Sequence, residues 1–497
     1  MKTPSQRNPS AQPDVPLSAG LGLAAFGLYL LTLAPTVLYY SPKNYDSAHL
    51  QVVAYVLGIP SFTGYPTYVM LAHLFTYLPV GDPAYRVNLA SAVFAALAVA
   101  VIYLLCRRLG AGGFASAAGA LAFGFGATFW SQAVIAEVYT LHVLLMALFL
   151  LTLLVWRARR REPRSDRYLL LASLLGGLAM TNHLTSVFLL PAAVIFMAVV
   201  DRRRLLDPAL LLKSAGFFAL GLLPYLYLPV RASMDPPLVN AGPADNPSTL
   251  SGFLDLVSGG DFKGRMFVFG PGELPRRMSI YGEHLLDNLN PALLALAAVG
   301  LAYLALRDRA ALILLGTFFV LNLVYALEYD IEDLEIYFVP TYLILCLTVS
   351  LGIQALLTWA RERRARRVLA PAIILLVLAA VLVYVPGTYR TVDRSGDYRG
   401  REIVETVARG TQPGSAVLYH GRSLHYMQLV EGRRRDIRLE DPFYTSDWVQ
   451  RARRDLRYGP VYVLYPGATN TRLFRKAGYE LEPIREGMLY KVTKRST

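Results

Sequence analysis

Asp46 lies in the run YYSPKNYDSAHLQVVAYVLGIPSFTGYPTYVMLAHLFTYLPVGD, between the first two apolar stretches of the chain. A carboxylate held among aromatic and apolar residues just above a bilayer points to chemistry on something anchored in lipid. Other polar residues recur at the ends of later apolar stretches. They are His49, Tyr65, Arg86 and Asn88 near the first loop, Glu137 and Tyr139, the pair Asn182-His183, and Arg231. A final acidic run, EYDIEDLEIYF, carries Glu328, Asp330, Glu332, Asp333 and Glu335. Ionisable residues at membrane depth are costly and default to functional hypotheses. Each also has a plain reading. Arg86 and Arg231 can snorkel to headgroups, Glu137 can complement a helix N-terminus, Asn182 and His183 can satisfy exposed backbone, and the acidic run can be a solvated loop.

The elements that must position these residues are membrane spans. The chain has 497 residues, 55% apolar and 17% charged, a composition that excludes an ordinary soluble protein. A spanning helix needs about 20 mainly apolar residues. Eleven stretches qualify: Leu17–Leu38, Val87–Cys106, Phe114–Trp130, Val138–Trp156, Tyr168–Thr181, Leu184–Val200, Ala209–Val230, Pro291–Leu306, Ala310–Leu327, Phe338–Trp359 and Val368–Val385. Tyr168–Thr181 is the shortest. Eighteen arginines and no lysine fall in alternate loops, while the short loops opposite hold only Lys43 and Arg86. The positive-inside rule then puts the N-terminus in the cytoplasm, and Asp46 and the C-terminal tail outside. The net charge of +14 is mostly this topological signal; dispersed over loops, it is no nucleic-acid footprint.

Met1–Pro16 is polar, proline-rich and expected to be disordered and cytoplasmic, and Leu17–Leu38 reads as a retained helix. Cys106 and Cys346 form neither a disulfide framework nor a metal pattern. Residues 17–386 make the membrane domain, with outer loops at 39–86 and 231–290. The first loop predicts interfacial helices over Ser47–Gly58 and Thr67–Leu78, joined by a Gly64-Tyr65-Pro66 turn. The second predicts short helices near Leu250–Ser258 and Pro275–Leu286. From about Gly387 the pattern alternates. Strand-like Ala416–Tyr419, Val461–Leu464 and Met488–Val492 interleave with helix-like Arg401–Arg409, Ser446–Leu456 and Thr471–Ala477, which predicts a small α/β domain over 387–497. It has no phosphate-binding glycine fingerprint, so an accessory or acceptor-handling role fits it better than a nucleotide site. Its arginines could equally lie against anionic headgroups.

One reaction accounts for such a set of polar ends. If the substrate is a sugar on a polyprenyl phosphate, the leaving group is already a stable phosphate and needs little acid help. Two tasks remain: a guanidinium to neutralise the departing phosphate and a carboxylate to take the proton from an attacking hydroxyl. One base on the face opposite the leaving group implies a single displacement with inversion. Asp46 suits the base. Arg231, with Arg86 and His183 beside it, suits the phosphate, leaving His49, Tyr65, Asn88, Glu137, Asn182, Asp333 and Glu335 to contact substrate.

The runs YDSAHLQVVAYVLGIPSFTGYPTY, GDPAYRVNLASAVFAALAVA, FWSQAVIAEVYTLHVLL, GGLAMTNHLTSVFLLPA, LPYLYLPVRASMDPPL and DIEDLEIYFVPTYLIL, in this order, resemble glycosyltransferase family 117 over roughly residues 17–360. Its members are bacterial relatives of a eukaryotic O-mannosyltransferase acting on plexin-type receptors. The resemblance implies an all-α polytopic fold of the GT-C type, a lipid-phosphate-linked sugar donor (mannose among the candidates) and an outward-facing active site. By position it carries over Asp46, Glu137, His183, Arg231 and the Asp333/Glu335 pair. Two departures stand out: Ala48-His49 replaces Gly-Glu, and Ser61-Phe62-Thr63 replaces His-Pro-Pro. The first leaves Asp46 as the one carboxylate of its motif. The acidic run at Asp330–Glu335 offers oxygen ligands suited to a divalent ion, though nothing in the pattern requires one and no other cofactor is indicated. The acceptor, protein or glycan, is not specified. A transporter or flippase of lipid-linked or small polar substrates is the rival reading, and a non-catalytic scaffold the third. Transporters usually place charges near mid-membrane in two related halves, and the halves here do not look alike.

Overall fold

The computed structural model describes residues 14–39, 46–236, 246–441 and 448–495. Most of residues 1–16, and Ser446 and Asp447 of one predicted helix, lie outside them. The first span, α1 (Val15–Thr32), carries Pro16 in its first turn and ends ahead of Pro35, which cannot extend a helix. The first loop folds as expected into α2 (Ser47–Val56) and α3 (Pro66–Phe75), each slightly shorter than predicted. Then come α4 (Pro83–Arg108), α5 (Gly113–Gly124), α6 (Ala127–Ala133), α7 (Tyr139–Arg159), α8 (Asp166–Asn182), α9 (Leu189–Asp201), α10 (Pro208–Gly221) and α11 (Tyr227–Ser233). The second outer loop supplies α12 (Leu250–Val257) and α13 (Leu274–Asn288). The bundle closes with α14 (Pro291–Arg307), α15 (Arg309–Leu327), α16 (Leu334–Tyr337), α17 (Val339–Arg361), α18 (Arg366–Leu382) and α19 (Val385–Val392).

Among the described residues, seven continuous helical stretches are long and apolar enough to cross a membrane. Three bent pairs raise this to ten: α5 with α6, α10 with the helical stretch Leu223–Ser233, and the segment Pro271–Asn288 with α14. At 17 residues, α8 is just too short for that count. The predicted third span, Phe114–Trp130, is thus broken, with α5 and α6 meeting at 69° across the Gly124-Phe125-Gly126 corner. A bend of 105° separates α13 from α14, where Asn290 accepts from the Leu293 N–H and Pro291 opens the new helix.

Lipid tails are as apolar as leucine, so spans associate through close packing at small residues. Gly300 on α14 and Gly352 on α17 face each other, as do Gly177 on α8 and Gly221 on α10. A Cβ at Gly300 would stand 1.7 Å from the Thr348 carbonyl oxygen, and one at Gly177 would stand 2.4 Å from that of Phe218. The arginine-rich loops gather at one end, where Arg157 pairs with Asp308 at 2.6 Å and Arg204 with Asp166 at 3.0 Å. The first loop and the C-terminal domain occupy the other.

That domain begins with α20 (Arg399–Gly410) and continues through α21 (Ser423–His425), α22 (Trp448–Asp455) and α23 (Gly467–Lys476). They pack on a sheet of β1 (Ala416–Leu418), β2 (Arg438–Glu440), β3 (Val461–Leu464), β4 (Tyr479–Arg485) and β5 (Leu489–Lys494), in the order β2-β1-β3-β5-β4. The first three strands run parallel, and β5 and β4 are antiparallel additions. Sequence alternation finds β1, β3 and β5. It misses β2, which has only three residues, and β4, whose YELEPIR is mostly exposed.

The domain is welded to the first loop. Val37, Val52, Val53, Val69 and Ala84 share one apolar core with Ile403, Val404, Tyr419 and Tyr426. Arg401 completes the joint. Its guanidinium donates to Thr36 Oγ1 before the loop, to Asp82 Oδ2 after it (2.9 Å), and to Glu431 of the domain. Asp82 also caps α4 by accepting from the Tyr85 N–H. Arg401→Ala is expected to lower stability by about 1–3 kcal/mol, the range for stranding partly buried charged acceptors. A thermal unfolding midpoint below wild type, only partly restored in Arg401→Lys because a lysine lacks the fork, is the check.

Candidate active site

Asp46 caps the N-terminal end of α2 without a side-chain bond to the helix, which leaves its carboxylate turned to other work. A chain of buried amides fixes this segment. Gln51 Nε2 donates to Asn88 Oδ1 at 2.8 Å, Asn88 Nδ2 donates to the Ala34 carbonyl, and Gln51 Oε1 accepts from the Leu38 N–H. Glu137 sits in the irregular turn between α6 and α7. Its backbone N–H donates to Ser91 Oγ, Ser91 Oγ also lies 3.2 Å from its carbonyl oxygen, and its side chain accepts from Ser47 Oγ at 3.2 Å. It is 5% exposed. Asp333 stands at the start of the four-residue α16.

These three carboxylates, from three separate segments, line one cavity of about 750 Å³. Glu335, His284, Asp287, Gln132 and Arg394 line it too. Burial raises each of the three acids. Asp46 is pushed up to about 6. Asp333 goes to about 7, by burial and then by the neighbouring charge of Asp46. Glu137 is held well above the usual carboxylate range, by burial first and then by Asp46 and Asp333. All three are therefore more basic than a solvent-exposed carboxylate, as a group that accepts a proton near neutrality must be. Among the described residues, no three His, Cys, Asp or Glu side chains converge closely enough to hold one metal ion.

The other predicted residues do not line this cavity, although Tyr65 lies within electrostatic range of Asp46, Glu137 and Asp333. Tyr65, in a left-handed backbone conformation, stacks on His183 with ring centroids 6.1 Å apart. His183 is enclosed by Tyr139, His142 and Tyr337, and its Nδ1 meets Thr185 Oγ1 at 2.7 Å. Asn182 Nδ2 donates to the Val138 carbonyl, and Asn88 belongs to the amide chain above. His49 is buried with neither ring nitrogen hydrogen-bonded among the described residues, on the side of α2 toward Arg422 and His425 of the C-terminal domain.

The expected union of Arg231 and Arg86 with Asp46 is not met, whereas His183 stands next to Asp46's surroundings through Tyr65 and Tyr139, both within electrostatic range of that carboxylate. Arg231 donates from Nε to the Leu57 carbonyl at 2.7 Å and from Nη2 to that of Val56, capping the far end of α2. Ten helical residues at 1.5 Å each set that end about 15 Å from Asp46. Arg86 donates to the carbonyls of Val80, Thr76 and Gly81. Both arginines satisfy loop and helix-end backbone, which hydropathy cannot distinguish from facing a ligand. Sequence reading missed Arg394, Gln132, His284 and Asp287. The first follows the last span in TVDRSGD, and that position was its only signal.

A bundle with bent segments, a carboxylate-lined cavity at one end and a small appended domain is a membrane-protein architecture of the GT-C type. Two solved structures share it at identities that speak to fold alone. The chain aligns with ArnT from Cupriavidus metallidurans bound to undecaprenyl phosphate at a TM-score of 0.61 and 15% identity, covering 97% of this chain and 98% of that one. It aligns with the Archaeoglobus fulgidus oligosaccharyltransferase at 0.57 and 14%, covering 91% and 69%. The family resemblance in the motifs also holds. Residues 46–206 match the family described as Protein O-mannosyl-transferase TMEM260 N-terminal domain. The Protein O-mannosyl-transferase TMEM260 of Mus musculus is 32% identical over 217 residues, 42% of this chain and 30% of the relative's length.

Proposed function

We propose that this protein transfers a sugar from a polyprenyl-phosphate donor to a hydroxyl acceptor on the extracytoplasmic face, with inversion at the anomeric carbon. The meeting of Asp46, Glu137 and Asp333 on one cavity, at the end opposite the arginine-rich loops, is the observation that carries this reading. Mannose is the sugar suggested by the relatives' name. Asp46 takes the proton from the acceptor hydroxyl as its oxygen attacks the anomeric carbon. The bond from that carbon to the phosphate oxygen breaks, and its electron pair leaves with the phosphate. Glu137 and Asp333, whose proton affinities burial also raises, donate hydrogen bonds from their protonated forms to the sugar or to the Asp46 carboxylate. The orphaned carbonyl oxygen of Gln132 accepts from a sugar hydroxyl.

The test is transfer of labelled sugar from polyprenyl-phosphate donors in proteoliposomes, followed against pH. The base must be ionised, and burial has raised its affinity for a proton. Activity should therefore be present above about pH 6 and fall toward tenfold per unit below it, as Asp46 protonates. A flat profile down to pH 4.5, or transport of intact donor without transfer, would overturn the reading.

A further inference from the structure

His49 is the ionisable residue of the first loop that the cavity leaves unused. It is 3% exposed, and neither ring nitrogen has a hydrogen-bond partner among the described residues. Here α21 and the helical turn Tyr426–Val430 of the C-terminal domain pack against α2. Val52 and Val53 of α2 share a core with Leu424, Tyr426 and Met427 of the domain. The His425 imidazole and the Arg422 guanidinium both lie within electrostatic range of His49. Ser423 Oγ, from the same short segment, is buried and also unpartnered among the described residues. Buried polar atoms are nearly always hydrogen-bonded, so orphans on both sides of one contact need a reason.

An imidazole without a partner can stay buried only as the neutral ring, since an unpaired charge there would be far costlier. The surroundings reinforce this. Burial, then Arg422 and His425, hold His49 well below its ordinary value. Burial and then Arg422 lower His425 to about 4, against a smaller opposite pull from Asp441. Asp441 is itself engaged, by Arg422 at 2.6 Å, with His420 Nδ1 3.5 Å away, and His425 Nδ1 meets the Tyr419 hydroxyl. The other charged and titratable groups packed around α2 are occupied elsewhere. Asp46, three residues before His49, lines the cavity, and Glu137 accepts from Ser47. On α3, His73 meets the Ala54 carbonyl and the Tyr77 hydroxyl, and Tyr68 meets Ser91. On α4, Arg86 bonds loop carbonyls. Tyr426 accepts from the Ala84 N–H, and Arg401, Asp82 and Glu431 hold one another.

We propose that the contact between α2 and the C-terminal domain is an acid-released clasp, closed while His49 and His425 are neutral and opened when both take protons beside Arg422. The shared apolar core supplies the attraction, and the two histidines set the pH at which it suffices. Closed, the clasp holds α2 and therefore Asp46 at its N-terminal end. The open state binds more protons than the closed one. The clasp is thus at full strength above about pH 6.5 and weakens as pH falls toward 4, where His425 protonates even when closed. Between pH 7 and pH 5 each histidine should raise the ratio of open to closed by about 20-fold, and the two together by a few hundredfold, on the order of 10².

The test is hydrogen exchange of the α2 backbone amides in the full chain in nanodiscs, at pH 7 and pH 5, corrected for the intrinsic exchange rate at each pH. Wild-type protection of α2 should fall at pH 5 by at least about 20-fold, while that of α7 in the bundle holds. His49→Leu fits the apolar site and removes one proton-binding group, so its fall should be no more than about 20-fold. His425→Gln should behave likewise, and the double variant should lose the pH dependence. His49→Gln gives the same comparison if the leucine variant does not fold. Equal α2 protection at both pH values in wild type would overturn the clasp. So would a fall that persists in the double variant, which would assign it to the cavity carboxylates, or an equal loss in α7, which would make it general acid unfolding. No donor or acceptor enters the measurement, so its outcome is separate from that of the transferase reading, which stands or falls on sugar transfer.

Discussion

Asp46→Asn is expected to reduce sugar transfer by about 10²–10⁴-fold, the usual contribution of a positioned general base. The substitution is nearly isosteric, and the Asp46 side chain makes no capping bond to α2, so the fold has no reason to change. Removing a half-buried charge beside Glu137 and Asp333 should if anything stabilise the apo protein, because all three acids resist ionisation there. The loss should appear in kcat with donor KM little altered, since the base acts in the transition state. Glu137→Gln and Asp333→Asn keep the shape and the hydrogen-bonding capacity, and should cost less. Radiolabel transfer in proteoliposomes at pH 8, with matched thermal unfolding curves, decides it. Undiminished turnover would remove Asp46 from the chemistry and leave the raised carboxylates a structural curiosity.

Gly300→Val should cost more than the membrane domain can tolerate without rearranging. A Cβ at that position would come within 1.7 Å of the Thr348 carbonyl oxygen and 2.8 Å of the Gly352 nitrogen, both backbone atoms of α17 that cannot rotate away. The two helices would have to separate by more than an ångström along their contact. Overpacking of this kind costs about 1–3 kcal/mol in a forgiving core and more against backbone. The consequence reaches the site, because α17 follows directly from the Asp333–Glu335 segment and α14 carries α13 with His284. Both cavity walls would shift. The comparison is Gly316→Ala on α15, where an added Cβ meets nothing within 4 Å. There the better helix propensity of alanine predicts a neutral to slightly favourable change, by up to about 1 kcal/mol. Yield of monodisperse protein and the unfolding midpoint separate the two; equal behaviour would mean that the α14–α17 contact is not tight in the bilayer.

The first loop shows how far local pattern carries. Its two helices, the Gly64-Tyr65-Pro66 joint and the importance of Asp46 are all visible in one continuous run, because turn chemistry and apolar periodicity act over a few residues. The arginines show where it stops. Arg86, Arg231 and Arg394 each stand beside an apolar stretch on the same side of the hydropathy plot, yet two fold back onto carbonyls and one faces the cavity. No local property separates them, since the difference lies in which backbone groups the neighbouring segments leave unsatisfied. His49 is similar. Its place in the motif suggests substrate contact, whereas the packed C-terminal domain claims that face of α2.

The sequence by itself determined a helical, many-span chain with its arginines gathered on alternate loops, a small α/β tail, and a motif resemblance that points to Asp46. Those follow from hydropathy, charge bias and residue type, which are properties of short segments. Only the tertiary structure decided that Asp46, Glu137 and Asp333 share a cavity, that burial raises their proton affinities together, and that Arg394 and not Arg231 lines that cavity with them. Burial and proximity are properties of segments brought together from more than three hundred residues apart along the chain, and they come into being only when the spans pack.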